Sequence, residues 1–130
     1  VKKQLPGGIE LDDDPSRVDV DAVHAYLSNE AYWALGRSRE EVGRLVNESQ
    51  RVVGLYEGGR QIGFSRTVSD GRSIAYLADV YVLPEWQGRG LGAELVQASV
   101  GPHDVIGRSL WATSRYARSH PQRKALAGRA

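Results

Sequence analysis

The stretch Val80–Ala93, VYVLPEWQGRGLGA, constrains this chain more than any other. An apolar strand pattern passes through Pro84 into a turn with glycines at Gly88, Gly90 and Gly92, and a helical pattern follows at once. Glycines leave backbone N–H groups uncovered by side chains. A helix start adds its own unpaired N–H groups and the positive end of its dipole. Together these make a seat for a phosphate-bearing ligand. The fold must bring a strand end and a helix start together at one exposed place.

The rest of the composition sets few other limits. At 130 residues the chain fits one domain around one core. Hydrophobic residues make up 41% and charged residues 25%, as in ordinary globular proteins. No apolar run reaches the roughly 20 residues of a membrane span. No apolar stretch follows Lys2 and Lys3, so no signal peptide is expected, and a cytoplasmic location is the default. The chain has no cysteine, which excludes disulfides, a thiol nucleophile and a Cys-ligated metal. His24, His103 and His120 match no metal-ligand spacing, so no metal is expected.

Hydrophobic periodicity gives the order of elements. Gly8–Asp13 reads as a first strand carrying Ile9 and Leu11. Val18–Ser28 reads as a helix, with Val20, Val23 and Leu27 at helical spacing and Asp19 able to cap it. Ser38 and Glu41 form a capping box ahead of a second helix over Arg39–Glu48. Arg51–Glu57 and Arg60–Val68 are strands joined by a Gly58-Gly59 turn, with Ile62, Phe64 and Val68 expected on one face. Ser73–Leu83 is apolar on both faces, as a central strand is. A helix follows over Arg89–Val100, ended by Gly101-Pro102, and Ser109–Ser114 is one more candidate strand. The expected fold is α+β: a mixed, largely antiparallel sheet flanked by helices, in the order strand, helix, helix, three strands, helix, strand.

Three phosphate-binding patterns compete for the glycine turn. A P-loop needs Lys and Ser/Thr that are missing here. The dinucleotide pattern fits formally as Gly88, Gly90 and Ala93, but hairpins precede the strand and no acidic residue follows Asp104. The third pattern is Q-x-x-G-x-G over Gln87–Gly92, placed after a strand and Leu83-Pro84. It resembles the acyl-CoA signature of the GNAT N-acetyltransferase superfamily. The segment AYLADVYVLPEWQGRGLGAELV and the order of elements from Gly8 to Thr113 resemble small stand-alone members of that family. This assigns residues 1–114 to a GNAT-like acyl-CoA-binding domain and 115–130 to an atypical tail.

The resemblance implies a chemistry. Acetyl-CoA would lie where the fourth and fifth strands splay apart, with its pyrophosphate on the turn formed by Gln87, Gly88, Arg89, Gly90, Leu91, Gly92 and Ala93. Its pantetheine arm would pair with the backbone of Val80, Tyr81 and Val82 as an added strand. An N–H there would polarise the thioester carbonyl and stabilise the oxyanion. An amine would attack directly, without a covalent enzyme intermediate. Asp79 is the candidate base that takes the ammonium proton, and Tyr116 the candidate acid for the leaving thiolate. Glu30, Tyr32 and Trp33 would wall the acceptor site, a setting suited to a cationic amine.

The family's usual ending is absent after Tyr116. Residues 1–107 carry 11 basic and 16 acidic residues, a net of −5, whereas 108–130 carry six basic residues and no acid. An uncovered strand edge over 109–114 would favour a homo-oligomer. The intact signature and altered ending leave open a second function class, a non-catalytic acyl-CoA-binding or interaction module. A basic tail binding nucleic acid is a third, weaker reading, testable by its salt dependence. The acceptor amine and the acyl-chain preference are not written in the sequence.

Overall fold

The computed structural model describes residues 2–30, 36–69, 74–104 and 109–112. The described strands are β1 (Lys2–Leu5), β2 (Ile9–Asp12), β3 (Arg51–Glu57), β4 (Arg60–Ser69), β5 (Ile74–Val82) and β6 (Ser109–Ala112). The helices are α1 (Val20–Glu30), α2 (Arg39–Glu48) and α3 (Leu91–Asp104). The strands form one sheet in sequence order, antiparallel throughout except for β5 and β6, which are parallel. The expected α+β class and element order hold, with one strand added at the N-terminus.

That added strand is β1. Its pattern is three exposed residues and one buried one, Leu5, so it carries almost no hydrophobic signal. It is held by pairing with β2, from Lys2 opposite Asp12 to Leu5 opposite Ile9. The first helix begins two residues later than its periodicity implied. Pro15–Arg17 forms a short 3₁₀ turn capped by Asp14, and Val18 is buried outside the helix. Asp19 Oδ1 accepts from the Ala22 amide at 3.1 Å and caps α1. Ser38 Oγ likewise accepts from the Glu41 amide at 3.0 Å and caps α2. Helix α3 runs through Gly101-Pro102 to Asp104 instead of stopping there.

Two β-bulges shape the sheet. Leu55 faces Gly63 while Tyr56 faces Gln61, so Ile62 is an extra residue on β4. This separates Ile62 and Phe64, which were expected on one face. Ile62 packs with Val53, Leu55, Val80, Val82, Leu91, Leu95 and Val96, on the α3 side. Phe64 packs with Val23, Leu27, Val42, Val46, Val52 and Tyr81, on the α1–α2 side. Val68 belongs to neither cluster and is 45% exposed. The second bulge lies in β5, where Ser65 faces both Asp79 and Val80.

Candidate acyl-CoA and acceptor site

The two edges of β5 differ. One side pairs with β4 to the strand's end, Phe64 opposite Tyr81 and Gly63 opposite Val82. The other side pairs with β6 only from Ile74 to Leu77, where Leu77 faces Ala112. Beyond that register, Ala78–Val82 has no strand partner among the described residues on this side. The Leu83 N–H turns to Ile62 O of β4 at 2.9 Å. The carbonyl of the same planar peptide, Val82 O, therefore faces the open side. Strand alternation places the N–H groups of Val82 and Val80 on that side as well.

The glycine turn follows directly. Pro84–Trp86 is a short 3₁₀ turn, and residues 87–90 are exposed. Gly88 and Gly90 have φ of +81° and +78°, the left-handed region that side-chain-bearing residues rarely adopt. A Cβ at either position would meet nothing within 4 Å, so both glycines border open space. Gly90 O accepts the Glu94 amide at 3.2 Å, and α3 begins at Leu91. The first α3 amides are left without helical partners beside the loop. This arrangement fits an anionic phosphate group and, next to it, an extended chain seeking strand-like hydrogen bonds.

The side chains of the signature hold the loop. Gln87 Nε2 donates to Val82 O at 2.9 Å and occupies the last carbonyl of the open β5 edge. The Arg89 guanidinium lies over the Trp86 ring, 4.7 Å from its centroid. Val80 and Val82 point into the α3-side core, and Tyr81 into the α1–α2 side. The Tyr81 ring stacks on Tyr26 at 3.9 Å, and its hydroxyl accepts from Gln61 Nε2 at 3.3 Å. Burial pushes the Tyr81 phenol well above its ordinary value, so it stays neutral. The backbone of 80–82, then, is the part of these residues that faces the cleft.

Asp79 lies two residues beyond Leu77, the last β5 residue paired with a described residue of β6. Among the described residues it is the one non-glycine with positive φ, +57°. It is buried to 3% exposure. Its Oδ2 accepts from Arg66 Nε at 2.9 Å and Arg37 Nη1 at 3.0 Å. Its Oδ1 is buried and has no hydrogen-bond partner among the described residues. Arg66 comes from β4 and also reaches Ser49 Oγ, at 3.4 Å, at the end of α2. Arg37 comes from the connection between α1 and α2. Its carbonyl accepts from His24 Nε2 at 3.0 Å, which makes Nε2 the protonated nitrogen.

Neither arginine stood out in the sequence. The available signal was the acid itself, because a carboxylate in a central strand needs charged or hydrogen-bonding partners. Glu30 closes α1. Tyr32, Trp33 and Tyr116 lie outside the described residues, as do positions 113 and 114 of the expected last strand. Among the described residues no group of acidic or histidine side chains is arranged to hold a metal ion, and no helix is long and apolar enough to cross a membrane.

Residues 9–114 match the sequence profile of the Acetyltransferase (GNAT) family. A Gibberella zeae protein named as an acetyltransferase is 32% identical over 65% of this chain, and the chain spans 58% of that relative's length. A GNAT-family structure from Xanthomonas campestris pv. campestris is similar at a TM-score of 0.79 and 31% identity, covering 94% of this chain and 85% of that one. N-acetylglutamate synthase from Neisseria gonorrhoeae, solved with coenzyme A and L-arginine, shares the fold at a TM-score of 0.67 and 21% identity. That match covers 88% of this chain and 26% of the synthase.

Proposed function

Since this chain belongs to the GNAT acetyltransferase family, whose chemistry is acyl transfer, we propose that it moves an acetyl group from acetyl-CoA to a primary amine by direct attack. The observation that carries this reading is the β5 edge at 78–82, which has no strand partner among the described residues and leads straight into the exposed glycine turn and the start of α3. Acetyl-CoA would supply a thioester whose C–S bond breaks as the N–C bond to the amine forms.

Each part of the site has a task in this reading. The amides of Gly88–Gly92 and the α3 N-terminus take the pyrophosphate, with Arg89 close to it. The Val80 and Val82 N–H groups line the open edge, where a donor to the thioester oxygen is needed. Asp79 takes the proton from the attacking ammonium through Oδ1, the oxygen without a partner among the described residues. Tyr116 is assigned to return a proton to the departing thiolate. The products are an N-acetylated amine and free CoA thiol. Glu30, Tyr32 and Trp33 are assigned to the acceptor wall.

Calorimetric titration with acetyl-CoA, of the parent and of Gly90→Glu, tests the cofactor site. The substitution places a carboxylate on the anion seat and a side chain at φ +78°. Micromolar binding by the parent and none by the variant is the expected result. Absence of binding by the parent would overturn the acetyl-CoA reading. Binding without turnover across a panel of primary amines would favour the non-catalytic acyl-CoA-binding module.

A further inference from the structure

We infer that Arg37 is a positioning residue that clamps the β5 bulge at Asp79, tying the α1–α2 connection to the strand edge that receives the cofactor. The inference rests on the acetyl-CoA reading for its functional consequence, but the clamp itself stands on geometry alone. Asp79 has φ of +57°, a conformation that non-glycine residues rarely adopt and that persists only where surrounding contacts impose it. The contacts that impose it here are the two guanidinium groups on Oδ2. One is local: Arg66 lies on β4, whose Arg66 faces Ala78 across the bulge. The other is distant: Arg37 is 42 residues away in the chain and belongs to no strand of the sheet.

The bulge has a specific geometric effect. It lies two residues beyond Leu77, the last β5 residue paired with β6. An extra residue there increases the local twist and turns the strand away from its neighbour. Val80 and Val82 follow immediately and present their N–H groups to the open side. The position of Arg37 therefore sets the direction of the amides that the pantetheine arm would meet. Arg37 is in turn held by His24 through its carbonyl, so α1 also fixes the clamp.

The test compares Arg37→Gln and Arg37→Lys with the parent in two ways. Amide NMR shifts of Val80 and Val82 report the strand edge without any ligand. Calorimetry with acetyl-CoA reports the cleft. In Arg37→Gln both amides should move and acetyl-CoA affinity should fall about tenfold, as loss of a bulge-imposing contact implies. Arg37→Lys retains a charge that reaches Asp79 and should recover most of both. Unmoved Val80 and Val82 amides in Arg37→Gln would overturn the clamp, even if thermal stability fell. Moved amides with unchanged affinity would overturn its link to the cofactor. If the parent itself fails to bind acetyl-CoA, the proposed function fails, and the amide shifts alone still decide the clamp.

Discussion

The Gln87 side-chain amide donates to Val82 O at 2.9 Å, closing the glycine turn back onto the end of β5. The signature glutamine therefore shapes the loop. Its bond reaches the one carbonyl at the strand's end that β4 cannot reach. Gln87→Ala should weaken acetyl-CoA binding about threefold to tenfold, the effect of a net hydrogen bond worth roughly 0.5–1.5 kcal/mol. Unfolding temperature should hardly change, because residues 87–90 are exposed. Calorimetry and a thermal melt on the same samples separate the two effects.

Asp79→Asn is the cleanest test of the proposed base. Asparagine tolerates left-handed backbone and keeps an oxygen for Arg37 and Arg66, so the bulge should survive. The variant should lose about 10²- to 10⁴-fold in kcat, the ordinary contribution of a general base. Its affinity for acetyl-CoA should stay close to the parent's. A parental kcat would remove Asp79 from the chemistry and leave it as the anchor of the bulge.

Acid stability should depend on Arg17. Its guanidinium bonds to Glu10 and to Asp12, the latter at 3.0 Å. The Arg17 hydrogen bond dominates at Glu10 and holds its carboxyl below the ordinary 4.5. At Asp12 burial opposes ionisation, but Arg17, the Asp14 amide and Lys2 outweigh it and hold the carboxyl below 3.8. Depressed carboxyl values stabilise the fold above the ordinary values, and that stability is lost as pH falls through the folded-state values. Arg17→Ala should therefore unfold more easily in urea at about pH 7, with a smaller gap to the parent at a pH below the ordinary carboxylate range. An equal gap at both pH values would assign the effect to Arg17's packing on the Tyr56 ring, 4.0 Å away.

Leu95 is fully buried on the inner face of α3, among the residues of the sheet's α3 side. Leu95→Ala should cost about 2–5 kcal/mol, from lost burial and the cavity left behind. Chemical denaturation measures it. Because α3 starts at the glycine turn, acetyl-CoA should restore part of the lost melting temperature by binding only the folded form.

Local signals made much of this fold legible. Ser38 and Asp19 announce their helices because capping is a short-range effect, and Gly58-Gly59 announces its hairpin for the same reason. The glycine turn was visible because exposed left-handed backbone selects glycine. The misreadings have a common cause in long-range pairing. The strand β1 exists because β2 offers it an edge, although Leu5 is its one buried residue. The bulges at Ile62 and Asp79 arise from strand register, which no window of a single strand contains. Ile62 and Phe64 thus had the right spacing for one face and ended on two. Arg37 and Arg66 carry no signal of their own in the sequence, because only the fold brings them to Asp79.

Every strand from β1 to β5 pairs with its neighbour in the chain, while β6 joins only after the chain has crossed over through α3. The β1–β2, β3–β4 and β4–β5 pairings close small loops and form quickly, whereas β2–β3, across α1 and α2, and β5–β6, across α3, must close long ones. The β3–β4–β5 meander should therefore assemble first as the nucleus, with β6 docking later and opening readily under native conditions. The edge of β5 that meets the ligand would then be weakly protected against hydrogen exchange, and acetyl-CoA binding would slow exchange there.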